Sequence, residues 1–353
     1  MDGRRLLLVG TYTPDSEPPG EGEGIYRVEF VPATGELATA ALAARTPGPS
    51  FLAYRAHPPT VYAVGEKAEG TVTAFRVDGR GELTELAAAS TGGPSPCHVL
   101  AHGDRLTVSN YANGVAAVYD LTDEGLPGER TEAAHSGTGP VSDRQEGPHA
   151  HSAAAPDERH VLVADLGTDE LRVLRDGKPA GTVALPPGTG PRHMAVAGEY
   201  VYVAGELDSR VHVLRWNAQE GTAEHLGSVF ATGEEAAGKN FPAEILAHEG
   251  RVYMSNRGAD SVATFTVHDG GARLEHTANT PVGAWPRNFT VVRGHRDEPD
   301  HLVVAAQNGD ELRSLRIDPA TGVPEDTGHR LEIPVPVCVL PVPVRRIHRG
   351  DEG

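Results

Sequence analysis

Two short motifs carry ionisable side chains whose types could do chemistry together. Gly190-Pro-Arg-His193 supplies a guanidinium and an imidazole, and Gly205-Glu206 supplies a carboxylate fourteen positions (206 − 192) after Arg192. Similar islands recur along the chain: Cys97-His98, His149-Ala-His151, Asn256-Arg257 and Arg287-Asn288, with Glu66, Asn110, Asp165, Glu244 and Gln307 in comparable settings. Arginine forks bind carboxylate or phosphate oxygens in pairs and stay charged at any working pH. They also stabilise an oxyanion formed by attack on a carbonyl. A Glu or His within reach of a water can take its proton. Such a set suits the opening or closing of an ester ring in a small anionic sugar acid. In a chain of net charge −18 it would form a local focus for small anions.

The set works only if the fold gathers it, and the surrounding sequence says how. Residues 190–216 read as three consecutive antiparallel strands, rich in branched and aromatic residues between Gly and Asp punctuation. In the first hairpin the start of one strand lies beside the end of the next, which brings Arg192 to Glu206. The second-strand pattern of Val201–Gly205 recurs in runs ending at Gly10, Gly65, Asn110, Asp165, Asn256 and Ala306, spaced by 40 to 55 residues. A period near fifty with several strands per repeat is the signature of a propeller.

Third strands follow each copy, from Ile25–Phe30 to Leu312–Ile317, and fourth strands follow those. The pattern therefore predicts an all-β, seven-bladed β-propeller with four antiparallel strands per blade. Six copies have their own first strand, introduced by Pro49, Pro96, Pro148, Pro191, Pro242 and Pro286; the N-terminal copy has none. Val337–Val342, behind Pro336, is expected to supply it and to close the ring by pairing with Leu6–Gly10. Residues 1–344 are expected to form a single domain, and residues 345–353 a frayed tail.

Composition removes several classes. The acidic balance argues against nucleic-acid binding. No segment approaches transmembrane length. The short apolar run near the N-terminus reads as a strand rather than a leader, and two distant cysteines, Cys97 and Cys338, fit a reduced compartment. A cytoplasmic protein, monomeric or weakly dimeric, without a membrane partner, is expected. No Gly-x-Ser-x-Gly elbow is present. Gly233–Asn240 nearly matches a phosphate-binding loop but has Asn240 in place of Ser or Thr, and Glu234 and Glu235 would repel phosphate, so it reads as a surface loop. His149 and His151 could ligate a metal with His98 or Asp165 as third ligand, but the neighbouring arginines disfavour a cation. No metal or cofactor is expected. Tyr12, Tyr111, Trp216 and Trp285 read as packing between blades.

Gly10-Thr-Tyr-Thr13, Gly147-Pro-His-Ala-His151, Gly190-Pro-Arg-His193, Gly205-Glu206, Asn256-Arg257 and Trp285-Pro-Arg287 resemble the seven-bladed-propeller lactonases over nearly the whole chain. That family includes bacterial 6-phosphogluconolactonases and a fungal carboxy-muconate lactonising enzyme. The resemblance implies a site at the channel mouth with His151, Arg192, Glu206 and Arg257 as catalytic residues. Around them, Arg287, His149, His193, Gln307, Asn110 and Glu66 are expected to bind substrate. The expected reaction is hydrolysis of a lactone such as 6-phosphogluconolactone, with Glu206 as general base, His151 orienting water or returning a proton, and Arg192 facing the oxyanion. Lactonisation of a carboxy-muconate diacid, or a non-enzymatic binding platform, would use the same mouth. Two departures stand out: Gly205 replaces the family's usual Asn, and the segment after His151 is one residue short, which leaves His149 as an alternative to His151.

Overall fold

The computed structural model describes residues 4–343, and the expected tail lies outside them. Among the described residues, strands numbered β1 to β28 in chain order form seven four-stranded antiparallel sheets. Only two short 3₁₀ turns interrupt the all-β pattern. This is the seven-bladed propeller expected from the repeat, with every connection inside a blade a hairpin.

The first strands of the blades are β4 (Leu52–Arg55), β8 (Pro96–His102), β12 (Ala150–Ala154), β16 (Pro191–Ala197), β20 (Phe241–His248), β24 (Pro286–Val292) and β28 (Pro336–Val342). Each packs against the first strand of the next blade, so together they line the centre of the ring. The ring closes as anticipated: β28 pairs with β1 (Arg5–Thr11), Leu6 opposite Val342 and Gly10 opposite Cys338. β2 (Ile25–Val31) and β3 (Glu36–Ala44) complete that blade. The C-terminal strand thus covers an edge of β1 that would otherwise expose unpaired backbone groups.

The apolar core lies between blades rather than within one. Seven buried clusters each draw on two neighbouring sheets. One combines Tyr202, Val211 and Val213 with Ile245, Met254 and Phe265. Another joins Leu7, Val9 and Phe30 to Val303 and Leu312 across the closure. Strands buried on both faces read as continuous apolar runs, which is why Leu6–Val9 and Leu302–Ala306 show no alternation.

Five of the first strands share one irregularity that matters for the site; β28 has a similar shift at Val337 and β4 has none. Register shifts occur at the starts of the five, between Pro96 and His98, Ala150 and Ser152, Pro191 and Met194, Pro242 and Ile245, and Pro286 and Asn288. Bulges of this kind release a residue from the ladder and re-aim its side chain. The residues released are Cys97, His151, Arg192 with His193, Ala243 with Glu244, and Arg287.

Candidate active site

The bulged residues meet at one end of the central channel. Arg192, second in β16, is 2% exposed although it is charged. It is presented by a tight turn: Gly190 has φ +57°, its N–H donates to Asp169 Oδ1 at 2.7 Å, and its carbonyl accepts the Glu206 N–H at 2.9 Å. A Cβ on Gly190 would lie 2.3 Å from Leu207 Cγ, so this position needs glycine both for its conformation and for space.

Glu206 follows β17 (Tyr200–Gly205) and receives three guanidiniums. Arg144 Nη2 donates to Oε1 at 2.6 Å, Arg257 Nη2 donates to Oε2 at 2.6 Å, and Arg192 Nε lies 3.1 Å from Oε2. Burial alone would raise the Glu206 carboxyl, but Arg257, Arg192 and Arg144 outweigh it and hold it down at about 2. Arg257, at the end of β21 (Arg251–Arg257), is fixed further by donation from Nε to the Phe241 carbonyl and by the Trp285 ring 5.6 Å away. Arg287 lies over the Tyr12 ring at 5.2 Å, and the Tyr12 hydroxyl donates to Glu66 Oε1 at 3.2 Å. Burial raises the Glu66 carboxyl against the pull of Arg287.

Arg192 remains incompletely satisfied. Its Nε is close to Glu206 but out of line for a hydrogen bond, and neither Nε nor Nη1 finds an acceptor among the described residues. Burial, with Arg257 and Arg287 nearby, pushes this guanidinium down to about 9, so it stays charged at neutral pH. A buried cation with N–H groups that find no acceptor is costly, even beside a carboxylate. Anionic oxygens are the acceptors that such N–H groups suit.

The histidines form an edge-to-face cluster beside the arginines. His193 lies 5.5 Å from His151 and 5.4 Å from His98, centroid to centroid. Burial holds all three well below the usual histidine range; neighbouring arginines reinforce it for His151 and His193, and His193 chiefly for His98. They are therefore neutral at physiological pH. His98 Nδ1 accepts the Ala153 N–H at 3.3 Å, which leaves the proton on Nε2. His151 Nδ1 lies 3.9 Å from the buried Cys97 thiol. Burial raises that thiol, which keeps it protonated and unreactive.

The geometry gives His149 and His151 different surroundings. His149 Nδ1 lies 2.9 Å from the Tyr111 carbonyl oxygen, its ring stacks on Tyr111 at 4.5 Å, and Nε2 faces Glu146 at 3.2 Å. His151 instead faces His193 and feels Arg192, Arg287 and Arg257. Asp165, imagined as a third metal ligand, accepts the His149 and Gly167 N–H groups on Oδ1, and its Oδ2 lies 3.3 Å from Arg172.

One expected binding residue has another task. Asn110 is fully buried and donates to the Thr91 and Val115 carbonyls, which clamps a loop instead of presenting an amide to the mouth. Gln307 begins a short 3₁₀ turn, where its N–H donates to the Trp285 carbonyl. Conversely, Tyr12, Tyr111 and Trp285 carry site groups rather than serving only as packing between blades. Trp216 does pack, against His160, and its N–H donates to Asp157.

Sequence reasoning missed Arg144. It lies in the loop before β12, outside the repeat, so periodicity could not align it. Gln145 anchors that loop, donating to Leu166 O at 2.8 Å and Asp169 Oδ1 at 2.7 Å, and Arg144 also donates to the Tyr111 hydroxyl. Beside Arg144 opens a cavity of about 420 Å³, bounded by Leu207, Phe230, Lys239 and Phe241. Gly233–Asn240, the near-match to a phosphate loop, forms one wall of it and is mostly exposed.

The missing amide at Gly205 has a steric cause. A Cβ there would lie 2.2 Å from Asp208 Oδ1 and 3.2 Å from His212 Nε2. Asp208 and His212, joined at 2.7 Å, occupy the space that a larger residue would need.

This ring of seven sheets with an arginine-rich mouth places the chain in a known class. It belongs to the seven-bladed β-propeller lactonase family, whose sequence profile matches residues 6–341. It is 34% identical over 348 residues to the 6-phosphogluconolactonase of Bacillus subtilis (strain 168), spanning 94% of this chain and 96% of that one. Among solved structures, a periplasmic gluconolactonase of Pseudomonas aeruginosa superposes with a TM-score of 0.88 at 28% identity, covering 97% of this chain and 100% of that one. A Lactobacillus plantarum protein of the same fold gives 0.87 at 28% identity, covering 96% and 100%.

Proposed function

We propose that the protein hydrolyses the lactone of an anionic sugar acid, with 6-phosphogluconolactone as its best substrate. The observation that carries this reading is the Arg192 guanidinium, whose Nε and Nη1 lack acceptors, buried beside Arg257 and Arg287 with only Glu206 held firmly ionised among them. Similarity to the Bacillus subtilis 6-phosphogluconolactonase supports the choice of substrate.

In this reading Arg192 receives the oxyanion that forms at the lactone carbonyl. Arg287 and Arg257 hold the remote anionic group. The role of base moves from Glu206 to His151. Both Glu206 oxygens are taken by guanidiniums, and a carboxylate held at about 2 has little affinity for a proton. His151 is neutral at working pH and can accept a proton from the attacking water. Glu206 keeps Arg144, Arg192 and Arg257 in place. Acid release from 6-phosphogluconolactone, followed in a pH-stat against the uncatalysed rate, tests the proposal. Acceleration supports it, and none at substrate concentrations that protect the protein thermally overturns it.

A further inference from the structure

The reaction above needs a second proton, because ring opening releases an alkoxide. We propose that His193 and Glu244 form a relay that supplies it, with His193 Nε2–H as the donor to the leaving oxygen and Glu244 as the proton store behind it. The inference rests on the lactonase reading and extends it to Glu244, given no part so far, and to His193, expected only to bind substrate.

The geometry is that of an imidazole held by a buried carboxyl group. His193 Nδ1 lies 3.2 Å from Glu244 Oε1. Among the described residues nothing hydrogen-bonds His193 Nε2, which leaves that nitrogen for a ligand. Both residues sit on bulges of adjacent first strands, and His193 follows Arg192 directly, so the donor and the oxyanion partner share one backbone segment. Glu244 is 7% exposed and fixed on all sides. The Ile245 N–H donates to Oε1 at 3.1 Å, the Asn288 amide donates to Oε2, and Asn288 is itself oriented by the Val339 N–H at 2.8 Å. Such supports set which imidazole nitrogen carries the proton.

The charge environment suits a store that is half-filled near neutrality. Burial pushes the Glu244 carboxyl up to about 7, against the pull of Arg192 and His98. The other titratable groups facing it are His193 and the Cys338 thiol, which burial keeps protonated. When Glu244 is protonated its proton points to Nδ1, and neutral His193 then carries its own proton on Nε2.

On collapse of the tetrahedral intermediate the C–O ring bond breaks and its electron pair goes to the ring oxygen. That oxygen takes the Nε2 proton while Nδ1 takes the Glu244 proton. Glu244 is left ionised, and His193 is left neutral with Nδ1–H. The proton that His151 took from water passes through solvent to His193 Nε2, and the Nδ1 proton returns to Glu244, which restores the starting state. The sum is lactone plus water to hydroxy acid.

Two measurements test the relay. In wild-type protein kcat is expected to fall as pH rises through about 7, because an ionised Glu244 has no proton to give. Glu244→Gln is expected to lower kcat at least tenfold with KM within twofold and to flatten that limb, while Glu244→Asp restores part of both. An unchanged alkaline limb in Glu244→Gln overturns the relay. Nitrogen-15 spectra of His193 need no turnover: the proton should move from Nε2 to Nδ1 between pH 6 and 8 in wild type. A fixed tautomer across that range overturns the relay even if lactonase activity is present. A moving tautomer without lactonase activity supports the pair and places the failure in the proposed reaction.

Discussion

Arg192 Nε and Glu206 Oε2 are 3.1 Å apart, with neither side chain more than 5% exposed. The pair is placed by one hairpin, in which Pro191 opposes Gly205 and a bulge frees the next two residues. Arg257 from the neighbouring blade and Arg144 from an irregular loop grip the same carboxylate. Glu206 is therefore an assembly point for cations, and its removal should be felt in stability before chemistry.

Glu206→Gln is expected to cost about 3–5 kcal/mol, because three buried or half-buried guanidiniums lose their ionised partner. The pH dependence has a defined sign. A carboxyl lowered to about 2 in the folded state contributes stability above the ordinary glutamate value of about 4.3, and this is lost as pH falls toward 2. The contribution is roughly 3 kcal/mol by the same linkage. Denaturant unfolding at pH 4.5 and pH 2.5 should show a smaller drop for the variant than for wild type.

Small anions should stabilise the protein by filling the place beside Arg192. At a hundred times Kd the gain is about 2.7 kcal/mol. Thermal shifts with 6-phosphogluconate, phosphate and gluconate should rank the phosphorylated acid first. Arg257→Ala should weaken that protection and raise KM with a smaller effect on kcat.

His151→Asn should reduce kcat by about 10²–10⁴-fold if the imidazole takes the water proton. Because burial and the arginines lower His151, the base stays neutral well below pH 6.5. The acid limb of kcat/KM should therefore lie below that value, and it should vanish in the variant. An acid limb centred above 6.5 would contradict this assignment.

Gly205→Asn, which installs the residue that the family resemblance implies, should destabilise this chain by about 1–3 kcal/mol through overpacking. The new Cβ would meet Asp208 Oδ1 at 2.2 Å. Adding Asp208→Gly should recover part of the loss. Equal unfolding midpoints for wild type and Gly205→Asn would show that the Asp208–His212 pair can move aside.

The sequence disclosed the ring because its physics is periodic. Runs such as Val61–Gly65 and Val252–Asn256 repeat at blade spacing, and the unpaired N-terminal hairpin required Val337–Val342. Arg192, Glu206, Arg257 and His151 could be placed at the mouth because each sits at a fixed offset within a repeat. Arg144 could not, because its loop belongs to no repeat. The state of Glu206 was also hidden: one carboxylate shared by three arginines is a property of distances, and it is the reason the proposed reaction gives the base role to His151. Asn110 matched its neighbours by position, yet the nearby Thr91 and Val115 carbonyls claim its amide. Glu244 had the right position, but only its burial against His193 and Asn288 marks it out.

The most direct test of the account is the rate of 6-phosphogluconolactone opening by Arg192→Met, checked for folding by circular dichroism and thermal unfolding. A folded variant whose kcat/KM falls by about 10²–10³-fold is the expected result, as for loss of an oxyanion partner. A folded variant that opens the lactone as fast as wild type would contradict it.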